Sequence, residues 1–213
     1  MILLTGFEPF GEDDVNPSWL AARRAAELLG SEGIAVEAVQ LPCVFGQSGT
    51  VLTDAITSLN PDVVLCAGLA GGRGRISLER VAINCDDARM PDNKGQRPID
   101  EEVIRGGPAA YFSSLPIKAA LRALQVAGIK GEVSQSAGTY VCNHVFYALM
   151  HSIASKPDIR GGFVHVPYSP EQLPEGSPTP SMPLESMAEG LAVIVRTTLR
   201  TQADVKMSAG AIR

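Results

Sequence analysis

The chain has 213 residues, 45% of them hydrophobic, with 18 Lys and Arg against 23 Asp and Glu for a formal net charge of −5. That apolar fraction supports a packed core and excludes a disordered chain. The acidic balance, with no cluster of Lys or Arg, argues against a nucleic acid partner. No apolar stretch approaches the roughly 20 residues of a membrane span, and Met1-Ile2-Leu3-Leu4-Thr5 reads as a strand too short and uncharged to be a signal peptide. One cytoplasmic domain over residues 1–213, with no membrane contact, is the expectation.

Strand patterns run in chain order at Ile2–Thr5, Ala35–Leu41, Val63–Ala67, Ile76–Ile83, Glu132–Gln135 and Gly162–Val166. Helical patterns alternate with most of them. Asn16 caps the first helix with Pro17 at its first position, and that helix ends before Gly30. A second covers about Gly46–Leu59, a third runs from Pro116 to Gly128, and a fourth begins at Cys142. The last starts near Pro183 and carries Leu184, Met187, Leu191, Val195 and Leu199 as one apolar stripe. Such alternation predicts an α/β protein, a three-layer α/β/α sandwich around a mixed, mostly parallel central sheet. The strand at Ile76–Ile83 follows Val63–Ala67 without a helix and is the one expected to run antiparallel. Two segments resist regular structure: Asn84–Pro108, long for an unstructured connection unless functional, and the proline-rich Ser169–Pro183. The tail after Ala203 is expected to fray.

Cys142 lies in Ala137-Gly138-Thr139-Tyr140-Val141-Cys142-Asn143-His144, between a short strand and an apolar helical repeat at Val145, Phe146, Leu149 and Ile153. That puts the thiol in the first turn of a helix, where unpaired backbone N–H groups and the helix dipole favour the thiolate. The same N–H groups can hold an oxyanion. Of the three histidines, His144 points roughly 200° away from Cys142 around the helix, and the helix N-terminus disfavours its protonation. His151 lies at the far end. His165 sits at the end of an apolar strand, where an imidazole must find a polar partner. Strand ends and helix starts meet on one face of an α/β sheet, so Cys142 and His165 are plausible neighbours. An orienting carboxylate completes such a set, and Glu79 is the candidate, in a loop-to-strand region expected to open on the face where Val63–Ala67 ends.

Each of these residues has a plainer reading. Cys142 can be an inert buried thiol, His165 a satisfied core histidine, and Glu79 a surface ion pair with Arg73, Arg75 or Arg80. Cys142-Asn143-His144 resembles a metal-chelating pair, but structural zinc sites show two short spacings and no second pair exists. Gly68–Gly74 follows a strand as a phosphate loop would. It matches neither G-x-G-x-x-G, since Ser77 stands where the last glycine would fall, nor a P-loop ending. Arg73 could still grip a phosphate or a carboxylate. Phe7, Phe10 and Trp19 read equally as core aromatics or, for the first two, as part of the site. The four cysteines are expected to be reduced thiols.

Gly6-Phe7-Glu8-Pro9-Phe10-Gly11 with Asn16-Pro17-Ser18-Trp19 resembles the pyroglutamyl peptidase I family of cysteine peptidases. So do Glu79-Arg80-Val81-Ala82-Ile83-Asn84 with Asp87–Asn93, Ser136–Tyr147, and Gly162–Tyr168. The resemblance runs in order over about residues 1–170. It implies a mixed central sheet, Cys142 as nucleophile, His165 as general base and acid, and Glu79 as the carboxylate orienting it. It further implies a lactam pocket lined by Phe10, Leu69, Tyr140 and Val141, with Phe7 a possible member, and Arg89 assisting the oxyanion. No metal or organic cofactor follows from it. The implied partners are a peptide with an N-terminal pyroglutamate and further copies of the chain in a dimer or tetramer. Two readings stand beside it: another cysteine amidase or thioesterase, and a non-catalytic phosphate-binding α/β module.

Overall fold

The computed structural model describes residues 1–11 and 13–210. β1 (Ile2–Phe7) is buried along its whole length, as a central parallel strand covered on both faces must be. It pairs in parallel with β2 (Val36–Leu41) on one side and β3 (Val63–Leu69) on the other. β8 (Arg160–Val166) adds in parallel to β3. β4 (Ile76–Glu79) then runs antiparallel to β8, and β7 (Gly131–Ser134) runs parallel to β4. The six-stranded order is β2-β1-β3-β8-β4-β7, so the mixed, mostly parallel sheet read from the sequence is present.

Five α-helices flank this sheet among the described residues. α1 (Pro17–Ser31), α3 (Ile117–Val126) and α5 (Leu184–Arg200) pack on one face, over Ile2, Leu4, Val63, Leu65 and Val164. α2 (Gln47–Leu59) and α4 (Val141–Ile153) cover the other, over Leu3, Val64, Cys66 and Phe163. Asn16 caps α1 by accepting from the Ser18 N–H at 3.1 Å. The helix continues through Gly30 to Ser31, one turn's fraction beyond the stop that Gly30 suggests.

Two expectations are corrected, for the run Ile76–Ile83 and for the tail. The run Ile76–Ile83 is two strands broken at Arg80. Only β4 joins the main sheet, while β5 (Val81–Ile83) leaves it to pair antiparallel with β6 (Ala110–Phe112). One continuous apolar pattern conceals such a break, because residues on both sides of it are buried. The segment between β5 and β6 is long because it folds on itself, with an Asp86–Glu101 bridge at its base. The tail after Ala203 is pinned rather than frayed. Asp204 accepts from the N–H groups of Lys118 and Ala119 at the start of α3, and Met207 and Ala209 pack on the core. Its last three residues lie outside the described residues.

Candidate active site

The α2–α4 face of the sheet gathers three chemically capable side chains. β8 presents His165 beside Phe163, the two ring centroids 5.0 Å apart. β4 pairs Ser77 with His165 and so sets Glu79 diagonally across from it. Glu79 is therefore the last residue of an antiparallel strand, not part of a loop opening beside the end of β3. The His165 Nδ1–H donates to Glu79 Oε1 at 2.7 Å, with the imidazole nearly and the carboxylate fully buried. Placing the proton on Nδ1 leaves the Nε2 lone pair available.

Cys142 is the second residue of α4. Its Sγ lies over Gly68 of β3, the residue in register with His165. A Cβ on Gly68 would come within 2.8 Å of both that sulfur and the Phe163 ring. Glycine at 68 is what lets helix and sheet approach closely enough to lay the thiol on the face carrying His165. The N–H groups of Val141, Cys142 and Asn143 have no intrahelical acceptor, and the N-cap Tyr140 supplies no side-chain one. They form a ready site for a developing oxyanion. Asn143 fixes this turn: its Nδ2 donates to the carbonyls of Ile83 and Cys85, and its Oδ1 accepts from the Ile83 N–H.

Burial pushes the Cys142 thiol up, and nearby Cys43, Glu79 and Cys66 push the same way, while the Arg73 charge pulls it down. The sequence places the thiol at a helix start but does not reveal that the fold leaves it only partly exposed, between α4 and β3. A thiol that attacks a carbonyl must lose its proton, and the His165 Nε2 lone pair lies on the same face of the sheet.

Glu79 also receives a second donor. Arg73 Nη1 donates to the same Oε1 at 2.8 Å. Its neighbours in sequence have other partners: Arg75 Nε lies 3.7 Å from Glu132 Oε2, and Arg80 Nε donates to Gln135 Oε1 at 2.9 Å. Sequence reading allowed any of the three arginines as an ion-pair partner of Glu79 and gave Arg73 alone a possible grip on a phosphate or carboxylate. The signal that separates them is burial, since a carboxylate inside a sheet needs a fixed countercharge.

The aromatic residues divide. Phe10 is partly exposed, its ring centroid 6.3 Å from that of Tyr140. Phe45, which sequence reading missed, meets Tyr140 edge-on at 5.4 Å. The Tyr140 hydroxyl donates to the Pro91 carbonyl at 3.0 Å. Leu69 ends β3, and Val141 opens α4 fully buried. Phe7 is 2% exposed, with its ring against Phe163, and packs as core. Arg89 is exposed and makes no ion pair among the described residues. Its segment is docked beside the start of α4, because the Asp87 N–H donates to the Thr139 carbonyl and Thr139 Oγ1 donates back to the Asp87 carbonyl.

The other histidines are committed elsewhere. His144 donates from Nδ1 to Asp86 Oδ2 at 2.7 Å and accepts at Nε2 from the Gly46 N–H at 3.0 Å. With both nitrogens used, it cannot chelate with Cys142. His151 Nδ1 shares a hydrogen bond with the Tyr111 hydroxyl. Among the described residues no three His, Cys, Asp or Glu side chains converge as metal ligands. All four cysteines are free thiols.

A helix-start thiol beside an imidazole oriented by a buried carboxylate, on a three-layer α/β/α scaffold, is the equipment of a cysteine hydrolase. The chain belongs to the pyroglutamyl peptidase family, whose model matches residues 1–201. A pyrrolidone-carboxylate peptidase of Streptomyces coelicolor is 53% identical, the match covering 99% of this chain and 98% of that one. One from Escherichia fergusonii is 51% identical over 99% and 98%. Among solved structures, pyroglutamyl peptidase I from Bacillus amyloliquefaciens superposes with a TM-score of 0.91 at 44% identity, covering 97% of this chain and 98% of the other. The pyrrolidone carboxyl peptidase of Thermococcus litoralis gives 0.88 at 34% identity, over 97% and 98%.

Proposed function

We propose that this chain, as one catalytic domain, is a cysteine peptidase that removes an N-terminal pyroglutamyl (5-oxoprolyl) residue from peptides through a thioester acyl-enzyme. The observation that carries the reading is the hydrogen bond between His165 Nδ1 and Glu79 Oε1, facing a thiol at the start of α4. Nε2 of His165 takes the Cys142 proton as Sγ attacks the carbonyl that joins the lactam to the next residue. The oxyanion forms against the first N–H groups of α4, with Arg89 assisting. Nε2 then protonates the departing amine, and the C–N bond breaks to leave the thioester. His165 next draws a proton from water, which attacks the thioester and releases pyroglutamate and the thiol.

Selectivity follows from the ligand's chemistry. A lactam ring is compact and uncharged, whereas an ordinary N-terminal residue carries an ammonium that is costly to strip of water. Phe10, Leu69, Tyr140 and Val141 form the ring's surroundings, and backbone groups near Leu69 and Val141 meet its C=O and N–H. A site that hydrogen-bonds the lactam rejects analogues lacking those groups far more strongly than apolar contact does. The exposed apolar side chains of Ile99 and Phe112 support assembly into a homo-oligomer, dimer or tetramer, which sedimentation velocity would reveal. Free thiols throughout the chain fit a reducing, cytoplasmic setting.

The test is release of a fluorogenic amine from a pyroglutamyl amide, run beside its prolyl and glutaminyl counterparts with Cys142→Ser as control. Turnover of the pyroglutamyl amide alone, abolished in Cys142→Ser, is the expected result. Turnover retained by Cys142→Ser, or equal rates on all three amides, would overturn the reading.

A further inference from the structure

The glycine-rich turn after β3 resembles a phosphate loop without matching one, and its construction has another purpose. The Arg73 N–H donates to the Ala70 carbonyl at 3.3 Å, closing the turn, while the Ala70 N–H donates to the Val166 carbonyl at the end of β8. Gly72 has φ +84°, a left-handed conformation that costs other residues energy. A Cβ on Gly71 would lie 2.6 Å from the Tyr168 ring, and one on Gly74 would lie 3.0 Å from Pro180 Cβ. The turn is therefore clamped between the two walls of the following proline-rich segment. What it presents from that clamp is the Arg73 guanidinium, hydrogen-bonded to Glu79.

Glu79 needs that cation for a reason beyond packing. Its carboxylate is fully buried, one oxygen accepts from both His165 and Arg73, and the other, Oε2, has no partner. A buried carboxylate without a countercharge is strongly destabilised. His165 cannot supply that charge throughout, because it alternates between neutral and protonated forms as it moves protons. A guanidinium does not lose its proton in proteins. Arg73 also exerts the one pull that lowers the Cys142 thiol against burial.

We infer that Arg73 is a positioning residue of the catalytic site, a permanent countercharge that keeps Glu79 Oε1 fixed on His165 Nδ1 while the imidazole changes charge. This inference rests on the reading of Cys142, His165 and Glu79 as the reacting set. Its action passes through Glu79 and not through substrate, so its loss falls on kcat.

The experiment measures kcat and KM on the pyroglutamyl amide for Arg73→Ala, Arg73→Gln and Arg73→Lys beside Cys142→Ser, with the thermal midpoint of each and with guanidinium ion added to Arg73→Ala. Arg73→Ala should lose on the order of 10²-fold in kcat, the scale of a small misplacement of catalytic groups, with KM unchanged. Arg73→Lys keeps the charge but not the fork, so it should retain more activity. Millimolar guanidinium should restore part of the loss. If Arg73→Ala does not fold, Arg73→Gln decides, since it keeps a donor without the charge: an unchanged kcat/KM pH profile and full kcat would overturn the inference. So would a loss confined to KM, or Arg73→Ala as active as the parent while Cys142→Ser is inert. Turnover retained by Cys142→Ser would instead sink the triad reading, and the inference with it.

Discussion

The pairs His165–Glu79 and His144–Asp86 are built alike. In each, a buried imidazole donates from Nδ1 to a carboxylate at 2.7 Å, and in each the second carboxylate oxygen (Glu79 Oε2, Asp86 Oδ1) lacks a partner. Both imidazoles lie on the α4 side of the sheet, and His144 is only two residues from the proposed nucleophile. They differ at the other nitrogen. Nε2 of His144 accepts from the Gly46 N–H, with the Phe45 ring edge-on beside it. Nε2 of His165 is hydrogen-bonded to no protein group among the described residues. They differ also in countercharge, for Glu79 has Arg73 and Asp86 forms no second ion pair among the described residues. Of these two pairs, that of His165 alone leaves one nitrogen unspent among the described residues and has its carboxylate held by a group other than the imidazole.

Substitutions should break the two pairs differently. His165→Ala is expected to lower kcat by on the order of 10⁶-fold, the scale for removing a base from a concerted set. Glu79→Gln should cost roughly 10⁴-fold, by allowing the wrong tautomer. Steady-state kinetics on the folded variants measures both, and a loss below tenfold for either would remove the functional contrast. Gly68→Ala should also cut turnover severely, because the new methyl claims the space of Cys142 Sγ. Its signature is a lost kcat with an intact far-ultraviolet circular dichroism spectrum.

The His144 pair should answer in stability. Asp86→Asn or His144→Ala leaves buried groups without partners and is expected to cost about 1–3 kcal/mol, read by urea denaturation. The loss in kcat should be far smaller than for either change in the His165 pair. The last effect, confined to alkaline pH and absent at neutrality, concerns the buried thiols outside both pairs. Burial pushes Cys66 up to about 12, and burial, seconded by Glu8, does the same for Cys43. A value raised on folding gives stability that is full below the thiol's ordinary range and is lost as pH climbs from there towards about 12. Each thiol should contribute a slope of about 1.4 kcal/mol per pH unit in that window. Cys66→Ala should flatten the slope in denaturation series taken above pH 9 or so, and an unchanged slope would refute the assignment.

Much of this was legible from residue pattern, for identifiable reasons. Asn16-Pro17 marks a helix start through local hydrogen bonding alone, and the apolar stripe Leu184–Leu199 fixes α5 by period. Cys142 at a helix start and His165 at a strand end follow from the same local rules. The break at Arg80 was not legible, since Ile76–Ile83 is apolar on both sides of it and only the pairing of β5 with β6 pulls the chain away. Nor was Arg73. Its distinction from Arg75 and Arg80 lies in which of three nearby arginines faces a buried carboxylate, and the turn around Gly72 decides that. The neighbours that push the Cys142 thiol up, Cys43, Glu79 and Cys66, were not legible either, because helix position is local whereas packing is a property of the whole face. Phe45 was missed because its partner Tyr140 is remote in sequence.

The position of β8 has a consequence for how the chain is made. Among the described residues β8 is the last strand in chain order, yet it lies between β3 and β4. Without β8 the sheet order divides into β2-β1-β3 and β4-β7, and the facing edges of β3 and β4 have no partner and are open to other chains. Before β8 is added the thiol of Cys142 and the carboxylate of Glu79 already exist, but the strand that brings the imidazole is also the one that closes the sheet. Chemical competence and the disappearance of the exposed edges therefore arrive in a single step.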